Sequence, residues 1–271
     1  MIPKCNLHAH TTFCDGKNTA EEMVQGAIRQ GCEVLGFSGH SPLPFDASWC
    51  MTEEKNELYR AEILRLREKY RGKIDILCGI EYDSFSVCSR QGYDYIIGSV
   101  HHVEREGIYI PVDGDRRLIE AEVARLFDGD YLAYAREYYE QMYTLKEKTD
   151  CDIVGHFDLL TKYNEDGSMF DEASASYRDA ALSALEAVMK KDLLIEINTG
   201  AISRGYRKTP YPAPFIFKYI AEKKGRVILN SDSHAADTVL YFYSEAVEYA
   251  KSCGIKELYV YQNGAFVPFA I

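Results

Sequence analysis

No apolar run in the 271 residues approaches the ~20 consecutive positions that a membrane-spanning helix needs. The eight cysteines include no Cys-x-x-Cys pair and show none of the close spacing of a disulfide-built domain. There is no basic excess either: 31 Lys and Arg stand against 42 Asp and Glu, a formal net charge of −11. Internal repeats, low-complexity segments and linkers are also missing. Each absence closes a class of function. Without a long apolar run no helical membrane anchor is expected, and the cysteine pattern points to reduced, mostly buried thiols. The acidic balance argues against a general nucleic-acid surface, which needs a basic stripe. Met1-Ile2-Pro3-Lys4 leads directly into a strand without the basic start and apolar middle of a secretory signal, so a cytoplasmic location is expected. Nothing in the composition bears on oligomeric state.

What is present is a chain that is 46% hydrophobic, enough for a large core. Strand-like runs alternate with helical ones. Met1 to Leu7, Val34 to Ser38, Ile74 to Ile80, Tyr93 to Val100, Asp152 to Gly155, Leu193 to Asn198 and Arg226 to Asn230 read as seven strands. Thr19 with Glu22 fits a capping box opening a helix that ends at Gly31. A charged helix follows from Glu53 to Tyr70, with Leu58, Ile63 and Leu66 facing inward. Further helices are expected over 118–148, 172–191 and 236–252, and a β-like tail over 258–271. The Tyr131, Tyr134, Tyr138, Met142 stripe has the spacing of a packed helix face. Alternating strands and helices predict a parallel sheet with helices outside it. Seven units close more readily than they lie flat, which predicts a single α/β domain over 1–271, a distorted (β/α)7 barrel.

The polar residues then fall into a pattern. His8 and His10 are two apart on a strand and so share a face, within reach of one ion. Asp15, His40, Glu81, His101, His156, Glu196, Asn198, Asp232 and His234 all follow at or just past the C-terminal ends of successive strands. Barrel enzymes build their sites at that rim. All seven histidines are accounted for when His102 is counted as a neighbour, whereas histidines without a shared role would scatter over helix surfaces too. Imidazole with carboxylate suits zinc, manganese or iron better than calcium or magnesium. Cys14 shows no nucleophile motif and reads as a packed thiol beside the site.

The motifs His8-Ala9-His10 with Asp15, Gly39-His40, Gly79-Ile80-Glu81 with Gly98-Ser99-Val100-His101, and Gly155-His156 with Ser231-Asp232-Ser233-His234 together resemble the polymerase-and-histidinol-phosphatase (PHP) superfamily. Its stand-alone histidinol-phosphate phosphatases are the most similar branch, on chain length and on Glu196-Ile197-Asn198-Thr199. The resemblance implies three divalent ions. His8, His10, Glu81 and Asp232 would hold one, Glu81 would bridge to a second held by His101 and His156, and Asp15, His40 and His234 would hold the third. It also implies hydrolysis of a small phosphate monoester, L-histidinol phosphate, in histidine biosynthesis, by water activated on metal. Glu81, Asp232 and His234 are then the catalytic candidates, with the leaving-group acid open between Asp232 and His234. Arg204 is the preferred phosphate clamp, with Lys162 and Arg207 as further rim cations. Glu196, Asn198 and His102 are expected to face substrate or to orient ligands, with Asp113 a further acidic contact at the rim. Other phosphoesterases of this type, acting on nucleotides, cyclic diesters or phosphotyrosine, remain open, as does a non-catalytic metal-binding accessory module. The amidohydrolases share the opening His-x-His but normally lack the Gly-x-Glu and Ser-Asp-Ser-His motifs.

Overall fold

The computed structural model describes residues 1–271. The chain begins with β1 (Cys5–Asn6), α1 (Ala20–Arg29), β2 (Val34–Phe37) and α2 (Glu53–Lys69), then β3 (Asp75–Asp83) and β4 (Tyr95–Ser99). A hairpin of β5 (His102–Arg105) and β6 (Ile108–Pro111) leads to α3 (Arg116–Leu126), α4 (Tyr131–Met142) and α5 (Leu145–Thr149). There follow β7 (Ile153–Val154), α6 (Ala175–Met189), β8 (Leu194–Asn198), α7 (Gly200–Ser203), α8 (Pro214–Lys223) and β9 (Val227–Asn230). The chain closes with α9 (Tyr243–Ser252) and the antiparallel pair β10 (Glu257–Gln262) and β11 (Ala265–Ala270).

Local chemistry sets the helix starts. Thr19 and Glu22 form the expected reciprocal capping box on α1, and Thr52, Asp115 and Asp130 cap α2, α3 and α4 through their side-chain oxygens. The inward face of α2 is Asn56, Tyr59, Ile63 and Leu66, while Leu58 is 56% exposed, contrary to expectation. The reason is a polar residue in an inward position: Tyr93 donates a 2.7 Å hydrogen bond to Asn56, and that shifts the buried stripe. Tyr134, Tyr138 and Met142 are buried as the tyrosine stripe requires. The stretch expected as one helical region over 118–148 is broken into α3, α4 and α5, and the last helix begins only at Tyr243.

The sheet runs β1-β2-β3-β4-β7-β8-β9-β10-β11, and every pair up to β9–β10 is parallel. The seven expected strands are β1, β2, β3, β4, β7, β8 and β9, and the β-like tail joins the sheet through Tyr259 beside Ile228. The sheet curls so that its first and seventh strands meet. Ala9 and Ser233 form a parallel bridge, with His10 N donating to Ser233 O at 2.8 Å and Ser233 N to His8 O at 3.0 Å. Below that seam two asparagines replace ladder bonds: Leu7 N donates to Asn230 Oδ1 and Ser231 N to Asn6 Oδ1. No helix is long and apolar enough to cross a membrane.

The floor inside the curl is apolar, built from Leu7, Tyr95, Ile97, Ile153, Leu194 and Ile228. Tyr95 is fully buried, and its one hydroxyl proton is shared between the carbonyls of Leu7, just past β1, and Phe37 at the end of β2. The ring fits because positions 36 and 79 are glycine; a Cβ at Gly79 would lie 2.2 Å from Tyr95 Cζ. Tyr95→Phe is expected to lower the unfolding free energy by about 1–3 kcal/mol by removing the one buried O–H donor that the carbonyls of Leu7 and Phe37 share. Urea denaturation measures it; an unchanged midpoint would mean that another donor replaces the hydroxyl.

Candidate metal centre

Period-2 geometry brings His8 and His10 to one face past the end of β1, and the other strands deliver their polar residues to the same rim. Four overlapping groups result: His10, Asp15, His40 and His234; His8, Glu81 and His156; His8, His10 and Asp232; and His40, Glu81 and His101. In each group the candidate ligand atoms lie within 4.8 Å of one another. The nine residues expected as ligands therefore meet at one place. Glu81 lies inside β3 rather than after it, because that strand continues to Asp83. His40 is shared, with Nδ1 2.8 Å from Glu81 Oε2 and Nε2 3.5 Å from Asp15 Oδ1.

The arrangement fits divalent ions. His8 Nε2 and His10 Nε2 lie 3.1 and 3.5 Å from Glu81 Oε2, yet these nitrogens, His40 Nδ1 and Glu81 Oε2 itself make no properly angled hydrogen bond. Buried polar atoms are normally paired, and lone pairs converging without partners are what a cation would satisfy. Burial alone would pull His8 down, but Glu196, Glu81 and Asp232 outweigh it and hold its pKa well above the ordinary value, so the site calls for positive charge. His10, by contrast, falls to about 3 through burial and the neighbouring His234 and His40, and stays a neutral donor. Burial pushes the Cys14 thiol up to about 12, which leaves it protonated and no nucleophile.

Two carboxylates behind the cluster orient it. Glu196, fully buried, accepts from His8 Nδ1 at 2.7 Å, from the His156 amide at 2.8 Å and from Asn198 and Asn230. Asn198 Oδ1 accepts from the Gly200 amide. Of the two roles expected for Glu196 and Asn198, substrate contact or orientation of ligands, their burial and hydrogen bonds favour the second. Burial would raise the Glu196 carboxyl, and the charges of His8 and His156 outweigh it and hold it low. The residue that the sequence reading missed is Asp83, whose Oδ2 accepts from His101 Nδ1 at 3.0 Å and lies 3.2 Å from the His101 amide nitrogen. Its signal was available as the i+2 neighbour of Glu81. Ser99 likewise donates to Glu81 Oε1 at 2.7 Å. Asp232 takes the unusual φ of +46°, and Gly200 makes room for it, since a Cβ there would meet Asp232 Oδ2 at 2.6 Å.

A cavity of about 450 Å³ opens over the cluster. Arg204, Lys162, Asp113 and His102 line it beside His40, His101, His156 and Asp232. Arg204 donates to Asp232 Oδ2 at 3.0 Å and lies 2.6 Å from His234 Nδ1. Lys162 donates to the Asp113 carbonyl at 2.6 Å. Arg207 is corrected: it does not line this cavity, because its guanidinium is buried against Thr161 and Thr209. It borders a larger, more open cleft of about 1200 Å³ that has no histidine on its walls.

A family model described as the PHP domain matches residues 6–200. The chain belongs to the PHP domain family. A Deinococcus radiodurans protein named "probable histidinol-phosphatase" is 30% identical over 268 residues, covering 94% of this chain and 95% of the relative. The histidinol-phosphatase of Bacillus subtilis is 25% identical over 275 residues, covering 91% and 99%. The crystal structure of histidinol phosphate phosphatase from Lactococcus lactis, complexed with zinc, L-histidinol and phosphate, superposes with a TM-score of 0.69 at 21% identity, covering 98% of this chain and 100% of that one. The PHP match ends before Arg204, Asp232 and His234, and the fold alone carries these three to the same rim.

Glu196→Gln keeps the shape of the buried side chain but removes the charge that faces His8. It is expected to weaken zinc or manganese binding about 10–100-fold, as measured by chelator competition, with an unchanged circular dichroism spectrum. Unaltered affinity would remove the orienting role.

Proposed function

We propose that this PHP chain, acting as one unit over residues 1–271, is a metal-dependent phosphatase that hydrolyses L-histidinol phosphate to L-histidinol and phosphate. The observation that carries it is the set of unpartnered imidazole nitrogens and Glu81 at the base of a cavity whose wall carries Arg204. The names of the relatives supply the substrate class. A seven-stranded barrel belongs to the reading, supported by the Ala9–Ser233 bridge, as does action in the cytoplasm. His8, His10, Glu81 and Asp232 would hold one ion, Glu81, His101 and His156 a second, and Asp15, His40 and His234 a third; the donor set suits zinc, manganese or iron. Bound there, such ions supply charge to polarise phosphoryl oxygens and lower the pKa of water.

The chain's own side chains do the rest. Arg204 presents a planar fork of donors to the phosphate, and Lys162 adds a second cation from the neighbouring loop, after β7. Glu81 and Asp232 keep the imidazoles at fixed separations. Asp113, held below the usual carboxylate range by Lys162 against the effect of burial, stays charged and accepts the substrate's ammonium group. Asp232 and His234, both on the cavity wall, are the candidates for passing a proton to the leaving oxygen, directly or through water. A binding module without catalysis would not need this complete set.

Steady-state kinetics on L-histidinol phosphate, a nucleoside monophosphate and phosphotyrosine test the reading. The highest kcat/KM is expected for histidinol phosphate, and an equal or higher value for either competitor overturns the substrate. Arg204→Ala should reduce kcat/KM by roughly ten- to two-hundredfold, the loss of a charge-assisted hydrogen bond worth ~1.5–3 kcal/mol. Glu81→Gln should abolish most turnover and lower the metal content measured by elemental analysis; full content with normal turnover would rule out the bridging role.

A further inference from the structure

Arg207 was expected among the rim cations and instead lies behind the cavity, 6% exposed, on the wall of the larger cleft. Every hydrogen bond of its guanidinium goes to an uncharged oxygen. Nη1 donates to the Thr161 carbonyl at 2.7 Å and to the Thr161 hydroxyl at 2.9 Å, while Nε donates to the Thr209 carbonyl and Nη2 to the Thr209 hydroxyl, both at 3.3 Å. The centre of the Tyr211 ring lies 4.8 Å from its Cζ. Burying a cation on neutral acceptors costs free energy that an apolar side chain would avoid. An apolar side chain, however, could not join two loops. Thr161 belongs to the loop after β7 and Thr209 to the loop after β8, and one planar fork reaches both.

Glu165 makes the reverse connection. From the loop after β7 its carboxylate accepts from the amides of Lys208 and Thr209, at 2.8 and 2.9 Å, and from the Thr209 hydroxyl at 2.7 Å. Deeper in, Asp158 Oδ2 accepts from the Ala213 amide at 2.8 Å. The loops are therefore tied to each other behind the cavity. The first two ties sit close to the cavity cations in the chain. Thr161 directly precedes Lys162. On the other loop the Tyr206 and Arg207 amides both donate to the Ala201 carbonyl, at 2.9 and 3.3 Å, in the turn of α7 that ends at Arg204. Lys162 Nζ in turn lies 4.4 Å from the centre of the Tyr206 ring.

Lys162 and Arg204 carry like charges on separate loops, and their repulsion favours a wider gap. A ligand that binds only at one separation loses affinity in proportion to the molecules in which that separation is absent. We propose that Arg207 and Glu165 are positioning residues: together they clamp the loops after β7 and β8 and so fix the distance at which Lys162 and Arg204 both grip a phosphate dianion. Neither touches the phosphate. The clamp deepens the phosphatase reading above, on which it rests, and it lies on the far side of the loops, where the larger cleft leaves Glu165 exposed.

The test measures inorganic phosphate binding to full-length, metal-reconstituted protein by calorimetry. Glu165→Ala is expected to weaken phosphate about five- to fiftyfold with metal content unchanged. Arg207→Lys, which keeps the charge but not the fork, should show a loss of the same order. In a Lys162→Met background, where no second cation is left to be spaced, Glu165→Ala should change phosphate affinity by less than about twofold. A lower melting temperature with unaltered phosphate affinity, or a full loss that persists in the Lys162→Met background, marks a merely structural tie and overturns the clamp. Either result leaves the phosphatase reading standing, because wild-type turnover of histidinol phosphate is measured separately. A wild-type protein that binds no phosphate overturns both.

Discussion

The structure depends on how a single buried carboxylate is satisfied. Glu81 is 1% exposed, and taking such a charge from water costs several kcal/mol unless partners replace the solvent. Its Oε1 receives Ser99 at 2.7 Å and lies 2.9 Å from His156 Nε2, and its Oε2 faces His40, His8 and His10 within 3.5 Å. Those partners come from the ends of β1, β2, β4 and β7. A shift of any one strand along its axis would leave the charge short of a neighbour. The curl of the sheet and the composition of the rim are two descriptions of one constraint.

Beneath the rim the interior is layered. Tyr95 and its apolar neighbours fill the floor. Above them Asn6, Asn230, Asn198 and Glu196 form a polar layer whose hydrogen bonds run to backbone more often than to side chains. The imidazoles rest on that layer, and two of them are aimed by a carboxylate behind the ring: His8 by Glu196 and His101 by Asp83. Only above the cluster do irregular loops take over, where different substrates can be met without disturbing the layers below.

This layering explains what could be read in the sequence. Strand order, the rim location and the nine converging residues were legible because period 2 and strand–helix alternation are local signals. Glu196 and Asn198 were placed on the interior face, but the choice between substrate contact and ligand support stayed open, since alternation fixes the side of a strand and says nothing of height inside a curled sheet. Asp83 escaped notice because β3 runs three residues beyond its apolar run. Arg207 was misjudged because a rim loop can turn its cation inward, here onto Thr161, and only tertiary contacts decide that. Leu58 failed for a similar reason: Asn56 found a donor for its side-chain oxygen in Tyr93 and took an inward position that hydropathy would deny it.

The seam where β1 meets β9 has a consequence for how the protein is made. Asn6 and Ser231, which bond across it, are 225 residues apart in sequence. At synthesis rates of 5–20 residues per second, about 10 to 45 s pass between the emergence of the first histidines and that of Asp232 and His234. Through that interval the nascent chain carries an acidic, histidine-rich rim with one bank missing. The rim is therefore a late product of translation, closed only once β9 and the residues that follow it have left the ribosome.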